Sequence, residues 1–314
     1  MKLLLAFFRL IRWPNLVFIA LTQLLFYYCI VGRIATSPVQ THFSTISLAI
    51  LILASVLIAA AGYIINDYFD INIDQVNKPG RQVVEKIIKR RWAMILHIVL
   101  SLAGVVLCLY VDLTNPGFWV GISNFICVVL LFGYSVSLKK KFLIGNVLIS
   151  ALTAWVIIVA YLCYRHSFFI ADQSLKMDAD IDTRFTRMSM LYAGFAFIIS
   201  MIREVIKDME DRDGDARYGC RTLPIVWGIP ASKVFVAVWI IVLVGTLGIV
   251  QFYVLQFGWW WSAAYCILLI ILPLLWVLLK LYRAQTTSDY HWLSTAIKLI
   301  MFTGIVSMIF FKLY

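Results

Sequence analysis

Nine apolar stretches, each about twenty residues long, restrict what this chain can fold into. They lie near residues 16–32, 45–65, 92–111, 117–137, 144–164, 187–205, 231–253, 258–280 and 294–312. Wound as a helix, a segment of this length matches the roughly 30 Å hydrocarbon core of a bilayer. The chain is 63% hydrophobic and only 14% charged, where a soluble domain is charged at about one residue in four. The expected fold is therefore all-α and polytopic, with residues 1–314 forming a single membrane domain. The first stretch follows Lys2 but has no small-residue cleavage site after it, so it reads as a retained helix rather than a signal peptide.

Basic residues orient the spans. With nine spans, one set of loops (1–15, 66–91, 138–143, 206–230 and 281–293) holds seventeen lysines and arginines. The other set holds Arg33, Arg165, Lys176, Arg184 and Lys312. Positive charge accumulates on the cytoplasmic side, which places the first set there, in a cytoplasmic membrane of bacterial or archaeal type. The net charge of +11 follows mostly from this asymmetry and needs no nucleic-acid partner. Six cysteines are scattered, almost all inside spans, with no CxxC and no zinc spacing to the four histidines; they read as small apolar filler.

Against this background two acidic clusters stand out. The first is Asn66-Asp67-Tyr-Phe-Asp70-Ile-Asn-Ile-Asp74 and the second is Lys207-Asp208-Met-Glu-Asp211-Arg-Asp-Gly-Asp215. Both read D-x-x-D-x-x-x-D, and all three aspartates are offset by 141 residues (208 − 67, 211 − 70, 215 − 74). On a continuous helix, positions i, i+3 and i+7 lie within roughly 60° of arc, so each cluster is a stripe of carboxylates. Two such stripes facing one another repel unless a cation lies between them. That points to divalent metal, Mg2+, and behind it to a diphosphate that completes the coordination. The shared offset also suggests a weak parallel repeat, because the second and sixth spans both run toward the cytoplasm. The first stripe should stop at Asn77-Lys78-Pro79-Gly80 and the second near Gly214 or Gly219.

One turn deeper the stripes diverge: Tyr63 precedes Asp67 by four residues, and Glu204 precedes Asp208 by four. An aromatic face there can stabilise an allylic cation, whereas a buried glutamate needs a partner, with Arg203, Arg12 or an acceptor hydroxyl as candidates. Lys78, Arg81, Lys139, Lys140, Arg203, Lys207, Arg212 and Arg221 are the basic residues available to phosphate. A cation transporter with carboxylate rings is the rival from another class. It fits less well, since these carboxylates sit at one membrane face and not at the midplane.

The same residues resemble the UbiA-type intramembrane prenyltransferases. Asn66-Asp67-x-x-Asp70-x-x-x-Asp74 followed by Asn77-Lys78-Pro79 resembles the first signature of that superfamily. Arg203-Glu-Val-Ile-Lys-Asp208-Met-Glu-Asp211-Arg-Asp-Gly-Asp215, ending in Thr222-Leu223-Pro224, resembles the second, in the form borne by the branch that makes digeranylgeranylglyceryl phosphate. Tyr134, Leu138-Lys139-Lys140 and Gly145-Asn146 fit the fourth-to-fifth span of that branch. The resemblance departs after Arg81, where Gln-Val-Val-Glu-Lys stands in place of R-P-x-x-S-G.

What the resemblance implies is an enzyme: a ring of nine helices around a lipid-open chamber under a cytoplasmic cap. Asp67, Asp70, Asp208 and Asp211 would hold magnesium on the diphosphate, with Asp74 and Asp215 supporting. Asn66 would bond a phosphate or a metal-bound water, and Lys139, Arg203 and Lys207 would contact phosphate. The donor would be a prenyl diphosphate, geranylgeranyl by branch, and the acceptor a lipophilic prenylated glycerol phosphate. Arg12 and Lys139 to Lys141 lie on the side where such an acceptor's phosphate would need cations. An aromatic prenyltransferase of quinone biosynthesis is the alternative within the class.

Overall fold

The computed structural model describes residues 2–32, 43–77, 80, 82–115, 119–171 and 179–313, with side chains for all of these except 166–171 and 179–181. The elements are α1 (Lys2–Leu10), α2 (Trp13–Val31), α3 (Thr45–Phe69), α4 (Ile71–Asn77), α5 (Arg90–Thr114), α6 (Val120–Val136), α7 (Ile144–Ala171), α8 (Ala179–Glu210), α9 (Arg212–Arg217), α10 (Leu223–Val226), α11 (Gly228–Leu255), α12 (Trp260–Arg283) and α13 (Thr287–Leu313). No strand occurs among the described residues; Val84 and Ile88 form an isolated bridge.

Among the described residues eight helices, α2, α3, α5, α7, α8, α11, α12 and α13, are long and apolar enough to cross a membrane. Nine were expected. The difference is α6, which is apolar but has 17 residues. At 1.5 Å per residue it reaches about 25 Å, short of the roughly 30 Å core. Large side chains such as Leu102, Val106, Ile249 and Phe252 are exposed along these helices, as befits a chain whose solvent is lipid.

The chain divides into two compact units. The first comprises Met1–Leu138 and Trp155–Met190. Within it α3 packs on α2, α5 and α6. Close approach of α5 to α3 depends on Gly104: a Cβ there would lie 2.6 Å from Ile58 Cγ1 and 3.2 Å from the carbonyl of Ala54, the small-residue contact that membrane helices favour. His97 Nδ1 lies 3.0 Å from the carbonyl of Ala61 and ties the same pair. Near the α3 end that bears the aspartates, Ala6, Leu10, Ile11, Leu16, Ala60, Ile64, Val83 and Val84 form a buried cluster.

The second unit comprises Lys139–Ala154 and Leu191–Tyr314. Its core draws Ile199, Ile202 and Ile206 from α8, Val236, Ile240 and Leu243 from α11, Leu274, Val277 and Leu281 from α12, and Leu293, Ile297 and Ile300 from α13. The three- and four-residue spacings mark one apolar stripe per helix. Pro273 interrupts α12. It has no N–H for the carbonyl of Leu269 four residues earlier, the helix widens to a π-type turn over Ile267–Ile271, and Thr303 Oγ1 of α13 donates to that carbonyl at 3.0 Å.

Candidate active site

The first acid stripe belongs to the first unit. Asp67 ends the last full turn of α3, and Arg12 Nη2 donates to its Oδ1 at 2.8 Å. The same guanidinium lies over Tyr63, 5.0 Å from the ring centroid. One face of the aromatic expected to meet an allylic cation therefore already carries a cation. Arg12 has a left-handed backbone, φ 51° and ψ 51°, which costs a non-glycine residue roughly 1–2 kcal/mol. It directly precedes α2, whose first turn contains Pro14, so the strained residue is the joint between α1 and the first span. Asn15, one turn on, donates Nδ2 to the Tyr63 hydroxyl at 3.2 Å. Sequence reasoning missed Asn15; its only signal was a polar side chain just after Trp13-Pro14, facing the span.

The stripe is not one continuous helix. The helix α3 ends at Phe69, and Asp70 takes φ −92° and ψ 4°, the sparsely populated bridge region. Its N–H still bonds the carbonyl of Asn66 at 3.0 Å and its carbonyl accepts from Asp74 N–H at 2.8 Å, so the chain kinks and resumes as α4. Asp74 is therefore carried on a separate short helix, described as far as Asn77, and Gly80 beyond it stands in a turn with φ +86°. Asn66 Nδ2 donates to Asp70 Oδ2 at 2.9 Å, which orients that carboxylate. Lys78 and Arg81 lie outside the described residues. Tyr134 is half-buried in the last turn of α6.

The second stripe belongs to the second unit and repeats the kink. The helix α8 ends at Glu210, Asp211 takes φ −90° and ψ 5°, and α9 carries Asp215. The bonding repeats too: Asp211 N–H to the carbonyl of Lys207 at 2.8 Å, and Asp215 N–H to that of Asp211 at 3.1 Å. The break expected at Gly214 or Gly219 thus has two parts. The kink falls at Asp211, Gly214 is buried within α9, and the helix is left for good before Gly219, whose φ is +71°.

Asp208 accepts a hydrogen bond from Asn146 Nδ2 at 2.8 Å. Asn146 is buried in the first turn of α7, three residues after Leu143, another non-glycine residue with positive φ, 56°. Glu204, 9% exposed, resolves its partner question within its own helix. Arg203 Nη1 donates to Oε1 at 2.9 Å, and Lys207 Nζ lies 3.5 Å from Oε2. Arg203 and Lys207, both expected at phosphate, meet on this carboxylate, and Arg12, the other candidate, is on Asp67. Lys139 and Lys140 form the tight turn Leu138–Lys140. The carbonyl of Lys140 accepts from Arg221 N–H at 2.8 Å, fastening that turn to Thr222-Leu223-Pro224, where Thr222 directly precedes α10 without a side-chain cap bond. Arg203 Nε and Thr222 Oγ1 are buried with no hydrogen-bond partner among the described residues.

Among the described residues, no three of His, Cys, Asp and Glu come together as a ready metal cage. The donors on offer are carboxylate oxygens, two of them already oriented by Asn66 and Asn146.

Comparison with known proteins places these motifs in context. The chain matches the UbiA prenyltransferase family over residues 14–305. It is 29% identical over 283 residues to a digeranylgeranylglyceryl phosphate synthase of Sulfurisphaera tokodaii, covering 90% of this chain and 89% of the relative. Its fold is similar to a solved structure described as giving structural and mechanistic insights into a digeranylgeranylglyceryl phosphate synthase in membranes, with a TM-score of 0.60, 22% identity, and coverage of 98% of this chain and 99% of that one. A UbiA homologue from Archaeoglobus fulgidus, solved bound to DMAPP and Mg2+, has a TM-score of 0.54 at 13% identity, covering 96% and 98%.

Proposed function

The chain belongs to the UbiA prenyltransferase family, and we propose that within it this enzyme transfers a geranylgeranyl group from its diphosphate to a prenylated glycerol phosphate in a magnesium-dependent reaction. The observation that carries the assignment is the repeated D-x-x-D-x-x-x-D, with its second aspartate at the same backbone kink in both copies. The second signature through Thr222-Leu223-Pro224 and the likeness to digeranylgeranylglyceryl phosphate synthases support the choice of acceptor. We take residues 1–314 as one catalytic domain, with α6 as the ninth helix of a ring around a lipid-open chamber under a cytoplasmic cap. The excess of basic residues in the loops that carry the two clusters supports an active site on the cytoplasmic side.

The residues fit magnesium. All six candidate ligands, Asp67, Asp70, Asp74, Asp208, Asp211 and Asp215, are hard oxygen donors. Magnesium is usually bound by one or two carboxylates plus substrate phosphate oxygens rather than by a closed protein cage. Hydrogen bonds from Asn66 to Asp70 and from Asn146 to Asp208 are the kind of outer contact that orients metal ligands. The Arg12 guanidinium on Asp67 is a cation resting on one of the proposed ligands. Bound magnesium supplies Lewis-acid neutralisation of the charge that builds on departing diphosphate.

The remaining work falls to the chain. The allylic C–O bond breaks with its electron pair left on the diphosphate, and a new C–O bond forms to the acceptor hydroxyl, whose proton passes to the released diphosphate. Arg203, whose Nε lacks a hydrogen-bond partner among the described residues, together with Lys139, Lys140 and Lys207, binds phosphate oxygens; Lys78 and Arg81 are the further candidates. Tyr63 presents its ring to the allylic carbon, and Glu204, held by Arg203 and Lys207, orients the acceptor hydroxyl. The surrounding apolar helices keep water from the cation. Incubating purified protein with geranylgeranyl diphosphate, magnesium and geranylgeranylglyceryl phosphate, followed by mass analysis, tests this assignment. A diether phosphate product supports it, and both substrates recovered unchanged contradicts it.

A further inference from the structure

The helix α1 has two apolar faces, and the protein covers one of them from Ala6 onward. At 100° per residue, Leu3, Ala6, Phe7 and Leu10 share a side, on which Leu3 in the first turn is 66% exposed. Ala6 and Leu10 are buried in the cluster with Ala60, Ile64, Val83 and Val84, with Phe7 packed against it. Leu4, Leu5 and Phe8 point the other way and are 60%, 62% and 44% exposed. Lys2 and Arg9 fall together in a narrow wedge between Leu5 and Ala6. Nine residues rise only about 14 Å, far too little to span. The chain then turns through the left-handed Arg12 into α2, a span whose own outer side exposes Trp13, Val17, Leu24 and Tyr28.

We propose that α1 is an in-plane membrane helix at the bilayer surface where the first carboxylate cluster lies, and that its partner is the anionic headgroup layer. Leu4, Leu5 and Phe8 enter the acyl boundary, continuous with the lipid-facing side of α2, while Lys2 and Arg9 meet lipid phosphates. The division of faces is that of interfacial helices, which seat their apolar side about 5–10 Å below the headgroups. Each basic residue near an anionic surface strengthens the attraction. The level of α1 is fixed by the protein as well, because Arg12, two residues beyond it, is paired with Asp67. The inference rests on the membrane-spanning helices and not on the proposed chemistry.

The test uses full-length protein in lipid nanodiscs, spin-labelled at Leu4→Cys or, separately, Arg9→Cys; the six native cysteines are buried, and unsubstituted protein carried through labelling gives the background. The Leu4→Cys label should collide more with oxygen than with a water-soluble nickel chelate, at a depth of about 5–10 Å, while the Arg9→Cys label should favour the chelate. Raising the anionic lipid fraction should lower chelate access at Leu4→Cys, and adding Lys2→Gln with Arg9→Gln should remove that lipid dependence. Equal chelate access at both positions would overturn the proposal. So would spin–spin broadening at Leu4→Cys between two copies in one nanodisc, which would assign the face to a second protomer. An insensitivity of the Leu4→Cys label to lipid charge would overturn the anionic-headgroup assignment.

Discussion

Asp70 and Asp211, 141 positions apart, hold the same backbone conformation to within a few degrees, φ −92°, ψ 4° and φ −90°, ψ 5°. Each is the second aspartate of its motif, and each joins a long helix to a short one that carries the third. The repeat seen in the sequence as spacing is therefore a repeat of local geometry. A residue type that favours helix ends over interiors stands at the kink in both copies.

Asn146→Ala should weaken magnesium activation by about 10–100-fold, the usual effect of removing a partner that orients a metal ligand. The hydrogen bond lost is the 2.8 Å contact to Asp208. A magnesium titration of initial rate measures it, and an unchanged half-saturating concentration would show that Asn146 does not orient a ligand.

Tyr63→Phe should be tolerated better than Tyr63→Leu. Phenylalanine keeps the ring under Arg12 and loses only the 3.2 Å bond from Asn15, whereas leucine removes the aromatic face. A cation over a desolvated ring contributes about 2 kcal/mol, so leucine should slow turnover by roughly a further 30-fold. Steady-state kcat for the pair decides the matter; equal values would remove the aromatic face from the mechanism.

Glu204→Gln should impair turnover while leaving diphosphate affinity nearly intact. The substitution leaves the Arg203 and Lys207 charges without their shared carboxylate. Breaking a partly buried pair is destabilising on the order of 1–3 kcal/mol, so thermal unfolding should fall along with rate. Binding of a non-hydrolysable prenyl diphosphate analogue separates the effects, and a loss of affinity as large as the loss of rate would place Glu204 in donor binding instead.

Much of this was legible in the sequence because bilayer thickness and backbone satisfaction act on composition alone. Spans such as α3 and α11 stand close to the stretches expected for them. The acid motifs were legible because a repeated spacing of six costly charges in an apolar chain is hard to produce by packing. The kinks were not, because reading i, i+3 and i+7 as one face presumes an unbroken helix, and nothing in spacing marks Asp70 or Asp211 as a joint. The choice among partners was beyond reach as well, since Arg203, Arg12 and an acceptor hydroxyl were all open to Glu204. Arg12 meets Asp67 across 55 residues of chain, while Glu204 takes the adjacent Arg203. Helix α1 escaped notice because nine residues are too few to read as a span and their second apolar face emerges only once Ala6 and Leu10 are packed.

In an equal-concentration competition with geranylgeranyl diphosphate as donor, prenylated glycerol phosphate should be the acceptor consumed and a hydroxybenzoate should not. A phosphate-bearing acceptor needs more cations than an aromatic carboxylate, and Lys139, Lys140 and Lys141 cluster in and beside the turn Leu138–Lys140. Prenylated aromatic as the main product would move the enzyme to the quinone branch.

The most direct test of the two-cluster account is magnesium-dependent turnover in Asp67→Asn and Asp208→Asn, one substitution for each stripe. Each removes one charge from a site built to neutralise a leaving diphosphate, and each should lower kcat by on the order of 10²-fold or more, with chelator abolishing activity in the unsubstituted enzyme. Full turnover in chelator, or in the double variant, would contradict a catalytic role for the carboxylates.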